Sequence, residues 1–272
     1  MIKISFIGAG RMTQAFLKGL SSSGDFDMSS ITLCSKSGTN LQELSQQYGV
    51  LVAQSNIACA QSADMLILAV KPQQLQSLIE EIRAVLKPNV VVISIAAAIQ
   101  LESLEAWFQA PIKLIRWMPN TAISIHLGSI AICHNTWVTD VELKHVIALF
   151  KPLGTFYPII ESQFDAFIAA SGSGIAFAYQ VMDDFIHALP QENLNTDIHQ
   201  LVLETFKAAA EMALNSHQTL QERINEVCSK GGTTVEGIQV LRNKDLVSVF
   251  QQTFDATIQR SIALSQELGH KK

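Results

Sequence analysis

ISFIGAGRMTQAF, residues 4–16, joins a strand pattern to a helix pattern through two glycines. Its apolar run ends in Gly8 and Gly10, and the residues that follow have helical spacing, so the glycines sit in a turn between a first strand and a first helix. In a dinucleotide-binding turn the first glycine permits the tight bend and the second lets a pyrophosphate approach the helix N-terminus, where free amides and the helix dipole receive its charge. Thr13 stands where the third glycine of that pattern falls.

The chain up to about residue 160 switches between short β-branched runs and longer helical segments, which is the signature of βαβ units. Strands are predicted at 3–8, 31–35, 51–54, 65–70, 90–95, 112–118, 128–134 and 154–159, with helices at 11–22, 40–48, 73–86, 100–108 and 139–150. Runs that are apolar throughout suit parallel strands covered on both faces. Beyond residue 160 strand signals disappear, and 172–189, 195–216, 220–228, 232–242 and 244–268 read as helices. Several are apolar over much of their surface, which predicts a homo-oligomer.

Composition narrows the function. A chain of 272 residues, 48% hydrophobic and 16% charged, is long and apolar enough for a full core. A net charge of -5 gives no general reason to hold nucleic acid or an anionic membrane. The most apolar run, VVVISIAAAI at 90–99, is too short to span a bilayer. Four cysteines at 34, 59, 133 and 228, without a CxxC, predict reduced thiols and a cytoplasmic location. The seven histidines show no metal-ligand spacing.

At the end of the second strand an NAD enzyme usually carries an acid for the ribose hydroxyls. Here Ser35-Lys36-Ser37 offers hydroxyls and a cation, which favours a 2'-phosphate and hence NADPH. AVKPQ (69–73) and RWMPNT (116–121) follow later strands, where open α/β sheets place ligands, and put Lys71 and Asn120 among the candidates. In CSKGGTTVEG (228–237), bare amides at Gly231 and Gly232 before a helix form an anion site, with Thr233 and Thr234 adding hydroxyls.

These motifs, with VVISIAAAI and SGSGIAF, together resemble the pyrroline-5-carboxylate reductase family over nearly the whole chain. The resemblance implies an α/β Rossmann-type N-terminal domain (1–160) that binds NADPH, sometimes NADH, followed by an all-α domain (161–272) that binds substrate and dimerises, with further assembly into decamers. It implies reduction of 1-pyrroline-5-carboxylate to proline, with Thr234 as proton donor or relay and Ser229, Gly232 and Thr233 on the substrate carboxylate. Glu161 matches a carboxylate near the substrate. Ile7, Gly8, Gly10, Arg11 and Met12 would line the pyrophosphate, Ser35 and Lys36 would take the 2'-phosphate, and Asn56 would lie near the adenosine. Val70, Lys71, Ala96 and Ala97 would face the nicotinamide.

The chain departs from the family at Thr13 and Ala98, where glycine is usual, and at Ala122, Ile175 and Lys230, where proline is usual. These departures leave open a related NADP-dependent imine reductase. A β-hydroxyacid dehydrogenase would carry a lysine on the long helix after the junction, and residues 171–190 contain none. A catalytically silent NADP-binding regulator would not need the Gly-Gly-Thr-Thr run.

Overall fold

In the computed structural model the described residues are 2–24, 26–36, 41–189 and 196–269. Ser37, the first residue of the expected 40–48 helix and the first of the 195–216 helix lie outside them. By internal packing the chain divides into two compact units, residues 1–173 with 257–272, and residues 174–256. The expected boundary at 160/161 falls inside the first.

The first unit opens β1 (Ile4–Ile7), α1 (Arg11–Ser22), β2 (Ile31–Cys34), α2 (Leu41–Tyr48), β3 (Leu51–Val52), α3 (Asn56–Ser62), β4 (Met65–Leu68), α4 (Pro72–Ile82) and β5 (Val91–Ser94). It continues through α5 (Leu101–Phe108), β6 (Lys113–Pro119), β7 (Gly128–His134), α6 (Asp140–Phe150), β8 (Gly154–Pro158) and the short α7 (Phe164–Phe167). The strands form one sheet in the order β3-β2-β1-β4-β5-β6-β7-β8. β1 to β6 are parallel, β7 runs antiparallel to β6, and β8 is parallel to β7.

Consecutive strand residues enter opposite cores. On β4, Leu66 and Leu68 pack with Leu75 and Ile79 on one face, while Ile67 joins Phe6, Phe16 and Trp117 on the other. That double burial explains strands without polar alternation. Trp117, Phe16 and Phe150 stack or meet edge-on at 4.9–6.4 Å, closing the second core.

α3 has no counterpart among the expected helices. It is seven residues long, and the hydroxyl of Ser55 accepts from Ala58 N–H at 3.1 Å to start it. The expected 73–86 helix is α4 followed by a tighter 3-10 turn, Arg83–Val85. After α7 the chain passes through a wide turn at Ile168–Gly172, so the SGSG segment ends one helix as it begins the next.

The second unit contains α8 (Gly174–Ala188), α9 (Ile198–Leu214), α10 (Leu220–Val227), α11 (Thr233–Asn243) and the start of α12 (Leu246–Gly269). Its own buried cluster is small, with Ile186, Ile198 and Val202 packed by Leu189 and Phe206. Tyr179, Leu214, Leu220, Val227 and Val247 are among its exposed apolar side chains. Apolar faces of that extent mark surfaces that associate. Among the described residues no helix is long and apolar enough to cross a membrane.

Helix α6 is fastened to the sheet by charge. Glu142 completes a capping box with Thr139 and also receives the ammonium of Lys113 on β6. The Lys113 hydrogen bond first, then the Thr139 N–H, hold the Glu142 carboxyl down at about 2. A carboxylate depressed in the folded state stabilises above its unfolded pKa and loses that contribution as pH falls through the folded value. Glu142→Gln should therefore cost about 1 kcal/mol at neutral pH. Urea titrations of both proteins should show this gap closing as pH falls from the ordinary glutamate range towards about 2. A gap that persists at pH 2 would refute the assignment.

Candidate active site

Strand order reverses direction on either side of β1 and β4, so a crevice opens at their C-terminal ends. A cavity of about 330 Å³ lies there, lined by Ile7, Gly8, Gly10, Ser35, Lys36, Asn56, Val70 and Lys71, with Gln74, Ser77 and Glu81 from α4. Eight of the sequence candidates therefore converge on one cavity.

Gly8 makes the crevice possible. Its φ is +108°, and a Cβ built on it would stand 2.3 Å from the carbonyl oxygen of Ala69, so only glycine fits. Its N–H donates to Cys34 O at 2.8 Å, joining the ends of β1 and β2. Gly10 is the N-cap of α1 and makes no side-chain cap, and the space its Cβ would occupy is open. The first amides of α1 thus meet a cavity without an intervening side chain, which fits a pyrophosphate. Thr13, fully buried, donates its hydroxyl to Gly8 O at 2.7 Å. The residue replacing the third glycine therefore ties the helix back to the turn.

At the other end of the cavity Lys36 Nζ lies 2.6 Å from Glu81 Oε2, and Asn56 Nδ2 donates to the same oxygen at 3.2 Å. Glu81 was not visible in the sequence as a site residue. It lies deep in α4 among Leu78, Ile79 and Ile82, where no motif distinguishes it from a solvated helix acid.

Other candidates lie outside the cavity lining. Arg11 is exposed at the first position of α1, with Met12 beside it half-buried. Ala96 and Ala97 follow β5, and Ala98 after them adopts φ +66°, the left-handed region where glycine is at ease. Asn120 is buried and already engaged: its Oδ1 accepts from Ala122 N–H at 3.2 Å and its Nδ2 donates to Ser171 Oγ at 3.1 Å. A proline at 122 would lack that N–H. Glu161 Oε1 accepts from Arg116 and from Leu101 N–H, each at 2.8 Å, capping α5 and neutralising an arginine that is 3% exposed. The Arg116 guanidinium lies 4.4 Å from the Phe164 ring centre.

In the second unit, the loop from Ser229 leads into α11. Gly232 is its N-cap and makes no side-chain cap, and Gly232 N–H donates to Ser229 O at 2.9 Å. A Cβ on Gly232 would meet the Ser229 hydroxyl at 2.5 Å, and Gly231 has φ +73°. Ser229, Lys230, Thr233 and Thr234 are exposed around this bare helix start. The arrangement can receive a carboxylate on amides and hydroxyls. The thiols differ in access: Cys34, Cys59 and Cys133 are buried and Cys228 half-buried. Desolvation pushes Cys59 and Cys133 up to about 12.

The reversed parallel sheet and the glycine turn feeding an uncapped helix define a Rossmann-type dinucleotide-binding protein. Residues 3–98 match the family described as NADP oxidoreductase, coenzyme F420-dependent, and residues 161–264 match pyrroline-5-carboxylate reductase dimerisation. The chain is 30% identical to pyrroline-5-carboxylate reductase of Pseudomonas aeruginosa over 98% of both chains, and 31% identical to that of Methanosarcina acetivorans over 99% of this chain and 98% of the other. Among solved structures, the pyrroline-5-carboxylate reductase of Coxiella burnetii superposes with TM-score 0.88 at 30% identity, covering 97% of this chain and 98% of that one. The Plasmodium falciparum pyrroline carboxylate reductase with NADP bound gives 0.87 at 27% identity, with the same coverage. The chain belongs to the pyrroline-5-carboxylate reductase family, and its C-terminal helices carry the family's self-association domain.

Thr13→Val removes the hydroxyl that satisfies a buried carbonyl at the cofactor turn. It should cost about 1–3 kcal/mol in chemical denaturation and weaken NADP⁺ binding in a titration, whereas Thr13→Ser should keep most of both. Unchanged stability in the valine variant would show that the hydroxyl does not hold the turn.

Proposed function

We propose that this chain reduces 1-pyrroline-5-carboxylate to L-proline with NADPH, and with NADH as an alternative donor. The observation that carries the reading is similarity to reductases of this name along 98% of the chain, which itself holds both the glycine turn and the 228–237 loop. When bound, the reduced nicotinamide supplies a hydride to the imine carbon. The ring nitrogen must gain one proton to complete the amine.

We assign residues 1–160 to cofactor binding and 161–272 to substrate binding and dimerisation, with dimers assembling into decamers in the cytoplasm. The α1 amides behind Gly8 and Gly10 take the pyrophosphate, with Arg11 and Met12 beside them. Ser35 and Lys36 take the 2'-phosphate, and Asn56 lies at the adenosine end. Val70, Lys71, Ala96 and Ala97 serve the nicotinamide side, and Asn120 supports the cofactor site by position, its side chain engaged with Ala122 and Ser171. Ser229, Gly232 and Thr233 hold the substrate carboxylate, and Lys230 adds a cation beside it. The Thr234 hydroxyl donates at the ring nitrogen. Glu161 serves the substrate side by position: engaged with Arg116 and Leu101, it fixes the start of α5.

Spectroscopic NADPH oxidation with 1-pyrroline-5-carboxylate tests the reading. Thr234→Ala should lower kcat by about 10²-fold or more, with NADPH affinity unchanged. A folded, NADPH-binding wild type without turnover would overturn the reaction and direct attention to other cyclic imines.

A further inference from the structure

Among the described residues lining the crevice, Glu81 alone carries negative charge, and it lies against the cation assigned to the 2'-phosphate. The dinucleotide fold ordinarily separates two solutions at the end of β2, an acid for the ribose diol or a cation for a 2'-phosphate. Here Lys36 follows β2, while the carboxylate arrives from the tenth position of α4. One spot therefore holds both.

Glu81 is held in place from behind. Asn56, 4% exposed, accepts from the Cys34 thiol through Oδ1 at 3.3 Å, and this sets its Nδ2 toward Glu81 Oε2 at 3.2 Å. Lys36 first, and Asn56 to a lesser degree, keep the Glu81 carboxyl below its usual range despite the opposing effect of burial. The group therefore stays anionic at neutral pH. A phosphomonoester brings a charge of about -1.5 to -2 and would find Lys36 already neutralised, with an anion in close reach. An unphosphorylated ribose instead offers hydroxyl donors, which a carboxylate accepts.

We propose that Glu81 is a specificity-determining residue of the cofactor site, which opposes the 2'-phosphate by engaging Lys36 and accepts the diol of an unphosphorylated ribose. The proposal rests on the assignment of Lys36 to the 2'-phosphate and extends it to the other member of the ion pair. The chain would then discriminate only weakly between the two dinucleotides, and the position that tunes the choice would lie on α4 rather than after β2.

Calorimetric titration of the full chain with NADP⁺ and with NAD⁺ provides the test, for wild type, Glu81→Gln, Glu81→Asp and Lys36→Ala. Glutamine keeps the length of the side chain and an acceptor for Asn56, and thermal melts would verify that each variant is folded. Glu81→Gln should tighten NADP⁺ by about tenfold, the scale of relieving a close like-charge contact at a partly exposed site, and should weaken NAD⁺. Glu81→Asp, which retains the charge, should keep the ratio of the two affinities nearer that of wild type. Lys36→Ala should weaken NADP⁺ and leave NAD⁺ little changed. If Lys36→Ala weakens NADP⁺ but Glu81→Gln leaves the affinity ratio unchanged, the proposal is overturned while the placement of the phosphate stands. If Lys36→Ala leaves NADP⁺ affinity intact, the placement fails and the role of Glu81 fails with it.

Discussion

The close approach of Gly8 to the carbonyl of Ala69 is the constraint on which the cofactor end depends. Two neighbouring parallel strands can bring their ends this near only if one of them has no side chain at the point of contact. Because the same residue donates to Cys34 O, three strand ends meet at one glycine. The first helix must then start directly over the sheet edge, with its amides turned to the crevice. Thr13 completes the unit by returning a hydroxyl to Gly8 O, so turn and helix are coupled by a buried bond as well as by chain continuity.

Charge in this protein is arranged locally. An overall charge of -5 gives the molecule no net attraction for an anionic ligand. In the proposed binding mode, recognition rests on helix amides at α1 and α11 and on a few paired side chains. Arg116 and Glu161 illustrate the cost of burying such pairs: the arginine is almost fully enclosed, and its partner also caps α5, so one carboxylate satisfies two elements. The helical unit follows a different rule. Its own core is small beside its exposed apolar side chains, and these lie in the stretch that matches the family's dimerisation domain.

Much of this architecture was legible in the sequence because the forces behind it leave periodic traces. Strands buried on both faces appear as unbroken apolar runs, and the glycine turn is marked by what a Cβ would hit. α3 escaped detection because seven residues rich in alanine give neither a wide apolar stripe nor strand character, and its start depends on one serine cap. Lys36 was visible through its place after β2, whereas Glu81 reaches the same point from a helix far along the chain. Asn120 and Glu161 stood out by motif and position, but their hydrogen-bond partners are set by tertiary packing, which no local pattern encodes. Ala122 and Thr13 are similar: each departs from the family residue, and each contributes a hydrogen bond that the usual residue lacks the donor to make.

The unequal burial of the four cysteines has a practical consequence. Three thiols are sealed in the first unit, two of them with their ionisation pushed far above neutrality, so they have neither the access nor the thiolate fraction to react. Cys228, half-buried at the end of α10, stands immediately before the loop that leads into α11. A maleimide dye or a spin label would therefore attach beside the Gly-Gly-Thr-Thr segment of the native chain, and the unaltered protein carries its own reporter for events at that loop.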